Sequence, residues 1–223
     1  MQQYFVTGTD TEVGKTYVSE YLLKAASHIG LTSLGYKPVS AGCERKGQQL
    51  INEDARKLQQ ASSISLPIEH INPVAFEPAI APHIAAELAN RDIEIEVIDT
   101  GLQQLRQHHP DILLVEGAGG WRLPIGQGHL LSDVVKYWQM EVIIVVGMRL
   151  GCLNHALLTA QAIQADGLQI KGWIANQLSL DMPCYRENIQ TLEMMIAAPK
   201  LAEIPFGQPH SQAVLAELAQ IFS

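Results

Sequence analysis

Cysteine is scarce in this sequence: three residues in 223. Cys43, Cys152 and Cys184 are widely spaced, which excludes a disulfide framework, and no C-x-x-C pair offers zinc-site spacing. Free thiols fit a reducing compartment. Basic residues are also short, 15 Lys+Arg against 23 Asp+Glu for a net charge of −8. That balance argues against a nucleic-acid partner, although a local cradle still binds phosphate on an acidic protein. No run of about 18 apolar residues is present, so no membrane span is expected. Met1–Val6 lacks the basic and apolar regions of a signal peptide, so the expected location is cytoplasmic. Charged residues make up only 17% and hydrophobic residues 47%, which excludes a disordered chain and supports a packed core. The length fits one α/β domain, residues 1–223, better than two domains of the usual ~150 residues.

What is present is an alternation of short apolar runs and helical patterns. Tyr4-Phe5-Val6 predicts a first strand. From Lys15 to Ile29, apolar residues at Val18, Leu22, Ala25, Ala26 and Ile29 have helical spacing, with Gly30 as the stop. Leu34-Gly35-Tyr36 predicts a second strand closed by Pro38. Three further apolar runs, 112–115, 142–146 and 173–175, have the composition of strands buried on both faces. Together they predict a mostly parallel sheet with helices on both faces. Helices are expected near 130–138, 153–166 and 184–198. Four prolines between 61 and 83 predict an extended loop before a helix over about 83–90. Ser211-Gln212-Ala213 opens a short C-terminal helix.

The most informative segment is Gly8-Thr9-Asp10-Thr11-Glu12-Val13-Gly14-Lys15-Thr16. It follows a strand and opens a helix, the context of a phosphate-binding P-loop. Main-chain N–H groups at a helix N-terminus wrap an anion, and the helix dipole adds to the attraction. Gly14 allows the backbone to approach phosphate, Lys15 neutralises the outer phosphates, and the Thr16 hydroxyl holds magnesium. Five residues, rather than the usual four, separate Gly8 from Gly14. The competing reading is a loop capping an ordinary helix, with Lys15 solvated. Glu12 is expected to face away from phosphate.

Magnesium needs hard oxygen ligands. Glu116 stands where a buried strand ends, before Gly117-Ala118-Gly119-Gly120, and ligands of doubly wound sheets bind at such strand ends. The competing reading is a solvated turn. Asp54, in Asn52-Glu53-Asp54, is available as a second carboxylate, but could equally belong to a helix cap. Lys37, at a strand end, could be a surface lysine.

Taken together, these motifs resemble the dethiobiotin synthetase family of P-loop NTPase-like folds. The likeness covers the long Gly8–Thr16 loop, Tyr36-Lys37-Pro38-Val39, Pro82-His83, Val115–Trp121, Gly151–His155 and Trp173–Asn176, in family order. The resemblance implies an ATP-dependent cyclo-ligase of biotin biosynthesis acting on 7,8-diaminopelargonate and carbon dioxide through a carbamate and a carbamic–phosphoric anhydride. It implies that Lys15 and Lys37 are catalytic and that Thr16, Asp54 and Glu116 fix Mg2+. ATP would lie against Glu12, Val13, Gly14, Lys15, Thr16, Tyr17, Gly117, Ala118 and Gly119. The adenine would meet Asn176 and Gln177, with Pro205, Phe206 and Gly207 near the base. Thr11, Glu12, Lys37, Ser40 and Ala41 would line the diamine site. Gly151, Cys152, Leu153 and Asn154 would receive the substrate's tail carboxylate at a homodimer contact.

One departure stands out. The family carries Ser or Thr immediately before the glycine of its second motif, whereas here the order is Ser40-Ala41-Gly42. Either Ser40 substitutes, or a hydrogen bond to substrate is missing, at a cost of about 1.5–3 kcal/mol if the group is charged. Other features read as ordinary structure: His108-His109 as a solvated loop, Met194-Met195 as core, and Trp121, Trp138 and Trp173 as packing. Two other functions compete. An amide-forming ATPase related to cobyrinic acid amidases would need a fused glutaminase domain with a nucleophilic cysteine. A partitioning or positioning switch that dimerises on ATP, of the ParA and MinD kind, would carry an additional lysine near the start of its loop.

Overall fold

The computed structural model describes residues 1–207 and 211–222. Its centre is a six-stranded sheet of β1 (Gln2–Gly8), β2 (Ser33–Tyr36), β3 (Ile112–Glu116), β4 (Glu141–Met148), β5 (Ile170–Gln177) and β6 (Lys200–Ile204). The spatial order is β6-β5-β4-β1-β3-β2, and every pairing is parallel. Helices cover both faces: α1 (Lys15–His28), α2 (Glu53–Ala61), α3 (Ile68–Ile71), α4 (Pro82–Leu88), α5 (Ile95–Arg106), α6 (Leu131–Trp138), α7 (Cys152–Ala165), α8 (Tyr185–Met195) and α9 (Gln212–Ala219). Right-handed crossovers place α1 and the elements packed on it, α2 and α9, on one face. The same rule puts α5 to α8, whose connections step across the sheet in the other direction, on the opposite face.

The continuous apolar runs are buried as their composition requires. All of β3, and all of β4 except Glu141, is out of solvent. One apolar core runs through both layers, from Tyr4 and Leu34 to Trp173 and Leu218. The three tryptophans are packing residues, 4%, 8% and 0% exposed at positions 121, 138 and 173. Gly30 ends α1 in the left-handed conformation, φ 79°, while the next residue's N–H donates back to the Ala26 carbonyl. His108 and His109 are solvent-exposed.

Several elements differ from expectation. The proline-rich stretch contains α3 and a two-residue strand, Val74–Ala75, paired in parallel with Val39–Ser40. Two small hairpins, 44–51 and 124–130, interrupt the α/β alternation. Met194 and Met195 are not core: they are 78% and 58% exposed, because α8 turns Ile189 and Leu192 inward and its last turn outward. No helix among the described residues is long and apolar enough to cross a membrane.

Strand order places the C-terminal ends of β1, β2 and β3 side by side. Chain direction across the sheet reverses around β1, and such a reversal opens a crevice beyond the strand ends.

Candidate active site

That crevice is a cavity of about 720 Å3. The loop between β1 and α1 forms one wall. Gly14 caps α1 in the left-handed conformation, φ 85°, and a Cβ there would sit 2.1 Å from the Asn176 amide nitrogen. Only glycine fits. The extra loop residue has a physical role. Val13 is 1% exposed and tucks beneath the loop, so that a Cβ at Gly8 or Gly147 would meet its side chain at 2.6 or 2.8 Å. The Asn176 amide donates to the Val13 carbonyl at 2.9 Å and holds the longer loop down from β5. Thr11, Glu12, Gly14, Lys15, Thr16 and Tyr17 line the cavity. Glu12 holds a left-handed φ of 58° without being glycine.

Lys15 is not a solvated lysine. It is 7% exposed, and its ammonium donates to the Asp10 carbonyl at 3.1 Å. Burial, and then the neighbouring Lys37 charge, push its pKa down to about 8 against the pull of Glu116, Asp54 and Asp10.

Opposite the loop, Lys37 is 3% exposed. Its ammonium donates to Glu116 Oε1 at 2.6 Å and to the Gly117 carbonyl at 3.0 Å, and lies 3.4 Å from Asp54 Oδ2. Burial alone would lower the Lys37 pKa. The two carboxylates outweigh it and hold the ammonium above its ordinary value. Burial likewise works to raise Asp54, but Lys37 and the Thr16 hydroxyl keep it below the usual carboxylate range. Asn52, 7% exposed, accepts from the Ala55 N–H as the cap of α2 and thereby sets Asp54 in the first turn.

Glu116 is fully buried, and the Thr16 hydroxyl donates to its Oε1 at 2.8 Å. Its other oxygen, Oε2, has no hydrogen-bond partner. A buried carboxylate oxygen left bare is costly unless a cation completes it. Thr16, Asp54 and Glu116 thus form a hard-oxygen donor set that fits Mg2+, which takes few protein ligands and keeps several waters. Among the described residues no group of three or more His, Cys, Asp or Glu is placed to hold a metal ion by itself.

Ser40, Ala41, Ala118 and Gly119 also line the cavity. Ser40 is 1% exposed, and its hydroxyl donates to Asn72 Oδ1 at 2.7 Å. Gly117 lies against Phe5, where a Cβ would meet the ring at 2.9 Å. Several expected residues stand apart from this cavity. Asn176 and Gln177 end β5, and the Gln177 amide oxygen accepts from the Phe206 N–H at 3.3 Å, which joins them to Pro205, Phe206 and Gly207. Gly151, Cys152, Leu153 and Asn154 open α7, with Cys152 buried and Asn154 exposed.

The sequence reading gave no site role to seven lining residues: Asn52, named there only beside a possible cap, Pro82, named only within a motif, and Lys57, Ala79, Ile80, Ala81 and Leu123. Lys57 had a signal, since it stands one helical turn from Asp54. Positions 79–81 lay inside the proline-rich loop, where no periodicity exists to read.

Comparison with known proteins gives the family. A family model described as an AAA domain matches residues 2–213. The ATP-dependent dethiobiotin synthetase BioD of Alteromonas mediterranea is 57% identical over 92% of this chain and 93% of that protein. The corresponding BioD of Tolumonas auensis is 47% identical over 94% of this chain and 93% of its own length. Among solved structures, the septum site-determining protein MinD of Pyrococcus horikoshii, complexed with Mg-ADP, has a TM-score of 0.60 at 16% identity, covering 98% of this chain and 94% of that chain. A ParA family ATPase of Chlorobium tepidum has a TM-score of 0.56 at 16% identity, covering 98% of this chain and 89% of that chain. Those two likenesses establish the P-loop NTPase fold, while the high identity over nearly the full length of both chains decides the rest: the chain belongs to the ATP-dependent dethiobiotin synthetase family.

Proposed function

We propose that this chain is a single-domain, ATP-dependent cyclo-ligase that closes the ureido ring of dethiobiotin from 7,8-diaminopelargonate, carbon dioxide and ATP. One substrate amine adds to carbon dioxide and loses a proton to give a carbamate. A carbamate oxygen attacks the γ-phosphorus and ADP leaves, forming a carbamic–phosphoric anhydride. The second amine attacks the carbamoyl carbon, and phosphate leaves as the five-membered cyclic urea forms.

The loop amides and Lys15 hold the phosphates, and Lys37 stabilises negative charge on the carbamate and the transferring phosphoryl group. Phosphoryl transfer depends mainly on such positioning and charge compensation. Mg2+ on Thr16, Asp54 and Glu116, when bound, neutralises charge on the phosphate oxygens. Thr11 and Glu12 meet the diamine. Asn176 and Gln177, with Pro205–Gly207, receive the adenine. A second copy of the chain docks near Gly151–Asn154, a role supported by Leu150, which is fully exposed at 100%. The enzyme works in the cytoplasm, in keeping with three free cysteines.

The observation that carries this reading is Lys37: a buried ammonium bonded to two carboxylates and a carbonyl, facing the phosphate loop across one cavity. The test is ADP release with bicarbonate, with and without the diamine, followed by mass spectrometry. Diamine-dependent release of one ADP per cyclic urea is expected. ATP hydrolysis indifferent to the diamine would instead favour a switch of the MinD kind and overturn the proposal.

A further inference from the structure

Lys37 is aimed by its main chain as much as by its salt bridges, and the main chain there has an unusual problem. The ladder of β2 on β3 ends at Tyr36↔Val115. Lys37 therefore sits one residue beyond the sheet, and the next residue, Pro38, has no N–H to offer a neighbour. The Lys37 carbonyl, beneath a 3% exposed side chain, needs a donor from elsewhere. Asn72, 7% exposed at the end of α3, supplies it: its amide donates to the Lys37 carbonyl at 2.7 Å and to the Val74 carbonyl at 3.2 Å. The residue before it completes the clasp, because the Lys37 N–H donates to the Ile71 carbonyl at 2.8 Å. Both polar main-chain groups of Lys37 are thus held by 71–72. The Asn72 amide oxygen faces the other way and accepts from Ser40 at 2.7 Å. Two carbonyls on one side and a hydroxyl on the other allow only one orientation of the amide.

We infer that Asn72 is a positioning residue for Lys37, acting through the Lys37 carbonyl, and that Ser40 orients Asn72 rather than binding substrate. The inference rests on the catalytic role given above to Lys37. It also decides between the two readings of Ser40-Ala41-Gly42. The hydroxyl of Ser40 serves the interior, so its presence one residue early does not replace a substrate contact at position 41.

The test is a cycle of Asn72→Ala, Lys37→Gln and the double variant, read as kcat and KM for ATP and diamine. A displacement near 1 Å at a reacting group costs roughly 100-fold. Asn72→Ala is expected to lower kcat by about that factor, with both KM values within roughly twofold of the parent, and to cost nothing further in the Lys37→Gln background. A parent-like kcat in Asn72→Ala, or an equal loss with and without Lys37, overturns the inference. Lys37→Gln with full activity would instead overturn the role of Lys37 itself, a separate result. Ser40→Ala carries the test alone if Asn72→Ala does not fold. Its kcat should fall roughly fivefold, as for one neutral hydrogen bond, with the diamine KM unchanged. A raised diamine KM at constant kcat would make Ser40 a substrate ligand and refute its assigned part.

Discussion

The two halves of the sheet end differently. Where β1, β2 and β3 end, the charges opposite the phosphate loop are paired before any substrate arrives: Lys37 with Glu116 and with Asp54, while the neutral Thr16 hydroxyl donates to Glu116. Where β4, β5 and β6 end, the surface is open. Leu150 is 100% exposed and Phe206 48% exposed. The first half is preorganised for charge, and the second offers apolar area and main-chain groups that gain burial only when something docks. A preorganised ammonium is most valuable against charge that develops during reaction. An exposed ring or leucine contributes to binding alone. Chemistry and recognition are therefore expected to separate along β1, and substitutions on the two sides should move different kinetic constants.

The largest effect should come from Lys37→Ala. Loss of one preorganised donor to developing charge costs about 10²–10³ in kcat. Nucleotide affinity, which the proposed function assigns to the loop amides and Lys15, should stay near the parent value in equilibrium binding. Parent-like ring closure in the product assay would remove the chemistry from this half of the sheet.

Glu116→Gln should be felt next, chiefly in stability. It leaves the buried ammonium with only the partly exposed Asp54 as charged partner, and breaking a buried pair costs about 3 kcal/mol. For a chain of this size that is a fall of roughly 6–12 °C in Tm by circular dichroism. The variant should also demand more Mg2+ for activity, since the bare Oε2 position no longer carries a negative charge. An unchanged Tm would mean that Lys37 is not held as its geometry indicates.

How far this contrast was legible in the sequence follows from how local its parts are. The phosphate loop, its strand and its helix are one contiguous segment, and the reading placed α1 within a residue. Runs buried on both faces led to the expectation of a mostly parallel sheet, and the central sheet is parallel throughout. Lys37 was ambiguous because its partners lie 17 and 79 positions away, and only the sheet order brings them together. Helix α5 escaped notice although Ile98, Leu102 and Leu105 carry its period. Edge strand β6 escaped because Lys200 and Glu203 interrupt its apolar residues, as edge strands tolerate. The Met194-Met195 pair was read as core from helical amphipathicity, but a period does not say which turn outlasts the sheet beneath it.

A smaller effect, in affinity, should follow pH at Lys15. Its folded pKa of about 8 lies below its ordinary 10.5. Between those values the unfolded chain binds more protons, so this group's contribution to stability rises with pH there, and its penalty is fully present below 8. Phosphate binding runs the other way, because it needs the charged form. ATP affinity should be flat below pH 8 and fall by up to tenfold per unit above it. Lys15→Arg, whose charge does not titrate in this range, should flatten the profile. A parent profile flat to pH 9.5 by calorimetry would show that the burial around Lys15 does not weaken its proton.

The smallest effect should fall on the open half, and it decides whether the division is real. Phe206 is half-exposed, and its N–H is tied to the Gln177 side chain at 3.3 Å, beside Asn176. A ring placed over a base contributes about 1 kcal/mol beyond area burial, or roughly fivefold in affinity. Phe206→Ala should therefore raise the KM for ATP roughly fivefold, narrow the preference for ATP over other triphosphates, and leave kcat unchanged, because the ring has no part in the charge that moves during transfer. Asn176 is the connection through which the halves could still communicate, since this residue, one before the end of β5, also holds Val13 in the phosphate loop at 2.9 Å. If Phe206→Ala lowers kcat as Lys37→Ala does, that amide links base recognition to loop geometry, and the boundary drawn along β1 would have to be moved to β5.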